Sequence, residues 1–206
     1  MAKASGSNHV TISGSDQGRV DFAIQNKFAH AGFLVPIKRG HTIDEKLQIA
    51  IDTAALAAQV QGSQGHPVGQ VDVVFECTGV ESYLQAGIYV RSPFPLPQAS
   101  NWPWQATRPG GRVMLVGMIM PIQTLPISAT ALREVDLMGV FRYANTYREG
   151  IYMISSTSLD MPDFGKLVTH RYKGLKEAQK AFEMAGRTTD DEGMLMLKIV
   201  IQMGES

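Results

Sequence analysis

The chain has 206 residues, which is long enough for one domain with a substantial core or for one domain with an appendage. Its 19 lysine and arginine residues balance 19 aspartate and glutamate residues, so the net charge favours neither nucleic acid nor an anionic membrane surface. A single cysteine excludes an internal disulfide framework, and no apolar run approaches the roughly 20 residues that span a bilayer. Because the first residues contain no apolar core of a signal peptide, we expect a cytoplasmic protein.

The first part of the chain predicts two strands and two helices in alternation. Strands are predicted at 9–13 and 32–37, and helices at 17–29 and from 42 to about 60. Asp16 is suited to cap the first helix, and Thr42 and Glu45 have the spacing of a capping box at the start of the second. Pro36 indicates that the second strand lies at a sheet edge, because proline cannot donate a hydrogen bond to a neighbouring strand.

Two near-continuous apolar runs follow, at 71–79 (VDVVFECTG) and at 112–118 (RVMLVGM). Apolar strands separated by helical segments are typical of a parallel sheet covered on both faces, the doubly wound α/β arrangement. Ligands of such sheets bind beyond the carboxyl ends of the strands. The candidate cofactor-binding residues on this ground are Cys77, Thr78, Val116, Gly117 and Met118.

A helix predicted at 80–89 is followed by a segment with no period of either kind, 90–105 (VRSPFPLPQASNWPWQ). Both tryptophans of the protein lie there among prolines. Two interpretations are open: a recognition loop with polyproline character, or an inserted surface loop without a binding role.

The rest of the chain predicts a further alternation of helices and strands. A short helix from 128, a strand at 135–142, a helix at 145–156, a strand at 166–172, a helix at 175–185 and a last strand at 194–203 are expected.

Four stretches carry a resemblance to a known family. They are VDVVFECTGVESYLQAGIY, ATRPGGRVMLVGM, PISATALREVDLMGVFRYANTYREG and LVTHRYKGLKEAQKAFEMA. Together they resemble the C-terminal half of the zinc-dependent medium-chain polyol dehydrogenases, which include the sorbitol, xylitol and arabinitol enzymes, and FRYANTY is specific to that branch. Tyr89 and Ala106 are adjacent in the family's pattern, so the resemblance makes 90–105 an insertion.

The resemblance implies an incomplete doubly wound, Rossmann-type parallel sheet. We expect residues 1–165 to form a truncated nucleotide-binding domain, and 166–206 to be strands and a helix that would normally complete a zinc domain. In this family such strands pair with the zinc domain, so here they either pair with each other or pair with another chain. The segment like 135–142 lies at the edge of the family's sheet, which leads us to expect a homodimer.

The family's site positions can be matched one by one. The resemblance places along the cofactor cleft Ser13, Gly14, Ser15, Arg19, Cys77, Thr78, Val116, Gly117, Met118, Phe141 and Arg142, with Arg142 and Tyr143 as the substrate-side candidates for a catalytic role. Gly14 stands where the family has the carboxylate that binds the adenosine ribose. Its replacement and the nearby Arg19 tilt the expected preference from NAD towards NADP. Ser13 and Ser15 either contribute hydroxyl donors or are ordinary turn residues.

The functional expectation is an NAD(P)-dependent polyol or alcohol dehydrogenase-type protein that is inactive as a dehydrogenase in this form. The family's zinc ligands and its glycine-rich phosphate turn have no counterpart in these residues, and the five histidines are scattered, so we expect no zinc and weak cofactor binding. The alternative is a non-redox protein that uses the vacated cleft as an interaction module or as a cofactor-independent enzyme, with a small molecule as its ligand.

Overall fold

A computed structural model describes residues 2–62, 64–88, 106–118, 121–156, 158 and 161–204. The segment 90–105, predicted to be an insertion, lies outside the described residues. The chain divides into two compact units, one formed by Met1–Gly32 with Ala144–Ser206 and the other by Phe33–Tyr143. The predicted domain boundary at 165 stays a prediction.

Strands and helices alternate along the described chain. In order they are β1 (Thr11–Gly14), α1 (Gln17–Gln25), β2 (Ala31–Leu34), α2 (Ile43–Gln59), β3 (Val71–Glu76), α3 (Glu81–Ile88), β4 (Thr107–Leu115), α4 (Ile127–Leu132), β5 (Asp136–Gly139), α5 (Tyr147–Ile154), β6 (Val168–Lys173), α6 (Ala178–Ala185) and β7 (Lys198–Gln202). Short 3₁₀ turns at Phe164–Leu167 and Leu175–Glu177 precede β6 and α6. The predicted α/β class is confirmed.

Unit Phe33–Tyr143 is built on a three-stranded parallel sheet in the order β3-β4-β5. In its register Val74 lies opposite Val113, which lies opposite Leu137. Helix α3 covers this face, since Leu84 and Ile88 form a buried cluster with Val113. Ile88 and Val113 are fully buried, so the core of the unit lies between α3 and the middle strand.

The start of β4 differs from the prediction. The Pro-Gly-Gly sequence expected to form a turn before the strand lies inside it, and the pairing with β3 shifts between Val71 and Val73. Gly110 has a φ of 71°, a conformation that glycine adopts without steric cost. A Cβ on Gly111 would lie 2.9 Å from the carbonyl oxygen of Asp72, so the two glycines allow an irregular, closely packed strand.

The strand orders fit a doubly wound sheet. β1 pairs with β2, and β3, β4 and β5 form a separate run. The consecutive parallel run β3-β4-β5 matches the run 4-5-6 in the strand order 3-2-1-4-5-6 of such folds.

The two C-terminal strands pair with each other, which is the first of the two predicted arrangements, and pairing with another chain stays a prediction. β6 and β7 are parallel, with Tyr172 opposite Ile201. A hydrogen bond links β6 to the turn between α6 and β7. Nε2 of His170 in β6 lies 3.1 Å from a carboxylate oxygen of Asp190 in that turn. The hydrogen bond from His170 holds the pKa of Asp190 below its usual value, and the Met194 backbone N–H lowers it further.

No helix in the described part of the chain is long and apolar enough to cross a bilayer.

The carboxylate of Glu81 links the loop before α4 to the helices of its unit by hydrogen bonds. The Glu81 carboxylate accepts hydrogen bonds from the Thr124 backbone N–H at 3.0 Å and from Lys46 Nζ at 3.2 Å. Gln85 donates to the Thr124 carbonyl oxygen at 2.6 Å, so both backbone polar groups of Thr124 are hydrogen-bonded. The backbone N–H of Thr124 lowers the pKa of Glu81 below its ordinary value, and Lys46 lowers it further.

We predict that Glu81→Gln lowers the free energy of unfolding near neutral pH by about 1–2 kcal/mol, the scale of a lost charge-assisted hydrogen bond. A lowered carboxyl pKa stabilises the fold above the unfolded value of about 4.3, and this stabilisation is lost as the pH falls through the folded value. Urea unfolding across the acid range should therefore show a shallower acid loss for Glu81→Gln than for the parent chain. Glu149→Gln, at an exposed carboxylate on α5, is the control, and an equal effect in both variants would contradict the assignment.

Candidate cofactor site at the carboxyl ends of β3 and β4

The structure brings together the predicted residues that follow β3 and β4. Because the two strands are parallel, Cys77 and Thr78 leave the sheet at the same edge as Val116 and Gly117. Contact between the two chain segments is close: a Cβ on Gly117 would lie 2.0 Å from the backbone nitrogen of Gly79. Only glycine fits at position 117. The close approach of the two backbones therefore explains why a glycine stands at this position of the predicted strand-end site.

Glu76, the last residue of β3, forms hydrogen bonds with both of these chain segments. Its backbone carbonyl oxygen accepts hydrogen bonds from the Val116 N–H at 2.9 Å and the Gly117 N–H at 2.8 Å. Its side chain accepts from the Thr78 N–H at 2.7 Å, from the Thr78 hydroxyl, and from the Gly79 N–H at 2.9 Å. The residue is 5% exposed, so a buried carboxylate is satisfied entirely by the turn that follows it.

The sequence analysis missed Glu76. A charged residue at the end of a mostly apolar strand, followed by a threonine and a glycine at the second and third positions after it, is the signal that could have identified it. A buried carboxylate must be paired or hydrogen-bonded, and a following turn with two backbone N–H groups and a hydroxyl is the nearest source of donors. Gln123 was also missed; its side-chain nitrogen lies 3.4 Å from the carbonyl oxygen of Gly79.

The outer surface of this edge is open to solvent. Cys77, Thr78 and Val116 are exposed, and Met118 is 68% exposed. Although Cys77 is exposed as a residue, partial burial of its thiol group raises the thiol pKa above its ordinary value, and the negative charge of Glu76 raises it further. The thiol is therefore neutral near pH 7. The edge offers an uncharged, partly apolar surface to a ligand.

Phe141, Arg142 and Tyr143 follow β5, the third strand of the sheet. The Arg142 guanidinium carbon lies 5.2 Å from the centre of the Phe141 ring, a cation–π distance. Arg142 has a φ of 55°, which is uncommon for a residue with a long side chain, and such conformations persist only when the surroundings fix them. Phe141 is 72% exposed and Tyr143 is 65% exposed, so this segment presents an aromatic and cationic surface.

The remaining predicted residues belong to the other unit. Ser13 and Ser15, which flank Gly14 at the end of β1, are exposed, and so is Arg19 on α1. The Asp16 carboxylate caps α1 by accepting from the Arg19 backbone N–H at 2.9 Å. The Arg19 guanidinium lies 3.4 Å from the carbonyl oxygen of Met196. This arginine therefore has a hydrogen-bonding partner within its own unit and keeps further donors for a ligand.

Within the described ranges, no group of three or more histidine, cysteine, aspartate or glutamate side chains could hold a metal ion. The expectation that no zinc is bound stays a prediction.

Several relatives of the chain share one name, sorbitol dehydrogenase. No family model matches the chain. Human sorbitol dehydrogenase is 39% identical over 141 residues, which are 68% of this chain and 33% of that protein. The sheep sorbitol dehydrogenase is 38% identical over 151 residues, 73% of this chain and 34% of that protein, and the Arabidopsis thaliana protein of the same name is 32% identical over 145 residues, 70% and 35%. The chain spans about a third of the length of these relatives.

Solved structures share the fold at low sequence identity. Benzyl alcohol dehydrogenase from Acinetobacter calcoaceticus aligns with a TM-score of 0.63 and 15% identity over 98% of this chain and 45% of that one. A Sinorhizobium meliloti protein bound to NADP gives a TM-score of 0.63 and 17% identity, covering 98% and 47%. The 2R,3R-butanediol dehydrogenase of Bacillus subtilis gives 0.61 and 17%, covering 98% and 45%.

Substitution of Gly117 tests whether the close approach to Gly79 holds this edge. We predict that Gly117→Ala lowers the free energy of unfolding by roughly 2–3 kcal/mol, because the added methyl group overpacks a backbone contact. Gly139→Ala on β5 is the matched control, since a Cβ there meets no atom within 4 Å. Urea unfolding of both variants measures the difference, and equal losses would show that the contact is not required.

Proposed function

The chain is a partial, medium-chain polyol dehydrogenase-like protein, and from this premise we propose that it is the cofactor-side portion of an NAD(P)-dependent oxidoreductase acting on polyols or other alcohols. The proposal rests on the edge of the sheet where β3 and β4 end together, which we call the joined edge. There Gly117 packs on Gly79, and Glu76 forms hydrogen bonds with both chain segments. Such an edge is where a doubly wound sheet binds its nucleotide. The relatives named sorbitol dehydrogenase support the redox class.

The residues present fit the ribose and the nicotinamide ring of a dinucleotide. Cys77, Thr78, Val116 and Met118 form an exposed surface without a charged side chain, and a ribose or a nicotinamide ring can lie on it. When bound, the nicotinamide supplies the hydride acceptor for alcohol oxidation. Arg142 and Tyr143 carry the donors that would orient a polyol by hydrogen bonds to its hydroxyl groups.

The residues at the end of β1 and on α1 bear on the preference between NAD and NADP. Gly14 supplies no carboxylate to repel a 2′-phosphate, and the exposed Arg19 can offer a planar pair of donors to one. We propose that NADP binds more tightly than NAD. Both cofactors should bind weakly, because these residues include no glycine-rich turn to hold the pyrophosphate.

Calorimetric titration of the chain with each cofactor tests both the function and the preference. We predict tighter binding of NADP than of NAD by about 1–2 kcal/mol, the scale of one charge-assisted hydrogen bond. Arg19→Ala should abolish the difference, whereas Arg187→Ala, which removes an arginine paired with Asp191 in the same unit, should not. Tighter binding of NAD, or an Arg19→Ala variant with unchanged NADP affinity, would contradict the preference. Absence of heat with either cofactor would contradict the proposed function.

Homodimerisation is also proposed. β5 pairs with β4 alone, so its other edge carries unpaired backbone donors and acceptors among the described residues of its unit. A second copy that pairs there would satisfy them. Light scattering at tens of micromolar should give twice the mass of the chain, 22.5 kDa, and a clean monomer would contradict the proposal.

A further inference from the structure

The turn after β3 has the donors of an anion-binding site. The backbone N–H groups of Thr78 and Gly79 and the hydroxyl of Thr78 converge on one position, just before α3 begins at Glu81. Successive backbone N–H groups directed at one point form a concavity suited to a phosphate or carboxylate oxygen.

That position is already filled by a carboxylate of the same chain. Oε1 of Glu76 accepts from the Thr78 N–H at 2.7 Å and from the Gly79 N–H at 2.9 Å. Oε2 also accepts from the Gly79 N–H, at 2.9 Å. The three donors of the turn are therefore satisfied without an external ligand.

The carboxylate has no room to be displaced. Glu76 is 5% exposed, and a Cβ on Gly117 would lie 2.7 Å from its Oε2, so the neighbouring strand end packs directly on it. Its backbone is fixed as well, because the Glu76 carbonyl oxygen accepts from the Val116 and Gly117 N–H groups. An incoming phosphate would have to expel a buried, hydrogen-bonded charge of its own sign.

We propose that Glu76 is a positioning residue whose carboxylate occupies the anion position of the 77–79 turn, so that the turn keeps its shape without a ligand and excludes phosphate. Cys77 and Thr78 are thereby held ready for a group that carries no negative charge. That this group is the ribose or nicotinamide of a dinucleotide rests on the proposed function. The exclusion of anions does not, since it follows from the contacts of Glu76 alone.

Chemical rescue of the full chain tests the occupied position directly. Glu76→Ala leaves the three donors unpaired beside a space the size of a small carboxylate, which formate can refill. We expect the melting temperature of Glu76→Ala to rise by several degrees in sodium formate relative to sodium chloride of the same ionic strength. The parent chain should show no such difference.

Asp72→Ala is the matched control. Asp72 lies on the same strand, but its side chain is 78% exposed and pairs with Arg108 at the surface. Its removal opens no enclosed position, so formate and chloride should act alike on this variant. A Glu76→Ala variant that responds to formate no more than Asp72→Ala would overturn the proposal.

Cys77, the single cysteine of the chain, gives a second readout that does not depend on the alanine variant folding. In Glu76→Gln the negative charge beside the thiol is gone, so alkylation of Cys77 by iodoacetamide near neutral pH should be several-fold faster than in the parent chain. Inorganic phosphate should leave the rate in the parent chain unchanged. An unchanged rate in Glu76→Gln, or slowing of the parent chain by phosphate, would also overturn the proposal.

These measurements contain no dinucleotide. A chain that binds neither cofactor can still show formate rescue, which would refute the proposed function and leave the role of Glu76 standing. Cofactor binding without formate rescue would refute the role of Glu76 and leave the proposed function standing.

Discussion

The hydrogen bonds of Glu76 are the constraint on which the site depends. One residue accepts from the end of β4 through its backbone carbonyl and from the following turn through its carboxylate. These bonds bring Gly117 so close to Gly79 that no side chain fits at position 117. The apolar cluster between α3 and β4 holds the strands parallel, and Glu76 converts their adjacent ends into one rigid edge.

Local chemistry made part of the fold predictable from sequence. The capping box of Thr42 and Glu45 starts α2 where the spacing predicted it, because the bonds involved join residues three apart. β3 begins at Val71, where the predicted run VDVVFECTG begins, but it ends at Glu76, three residues before the end of that run. The pairing of β6 with β7 remained one of two alternatives in the sequence, because strand pairing depends on which partners are available in space.

What escaped prediction depends on contacts between distant segments. The Pro-Gly-Gly sequence has the composition of a turn, yet pairing with β3 draws it into β4. Glu76 looks like an ordinary charged strand end until Gly117 packs on it, so neither its burial nor its bonds follow from its neighbours in sequence. Strand ends alone pointed to Cys77, Thr78, Val116, Gly117 and Met118, because parallel strands place these ends together, and the cofactor role of these residues stays a prediction.

We propose that the joined edge of β3 and β4 receives the nicotinamide half of a dinucleotide. Cys77 lies on that edge and is the single cysteine of the chain, so its reaction with iodoacetamide reports directly on occupancy. The decisive measurement is the alkylation rate of Cys77 as NADH or NADPH is added, beside ADP-ribose, which lacks the nicotinamide ring. The account predicts slowing by the reduced cofactors to a saturating limit and weaker slowing by ADP-ribose. A rate that no cofactor changes, at concentrations where calorimetry shows binding, would contradict it.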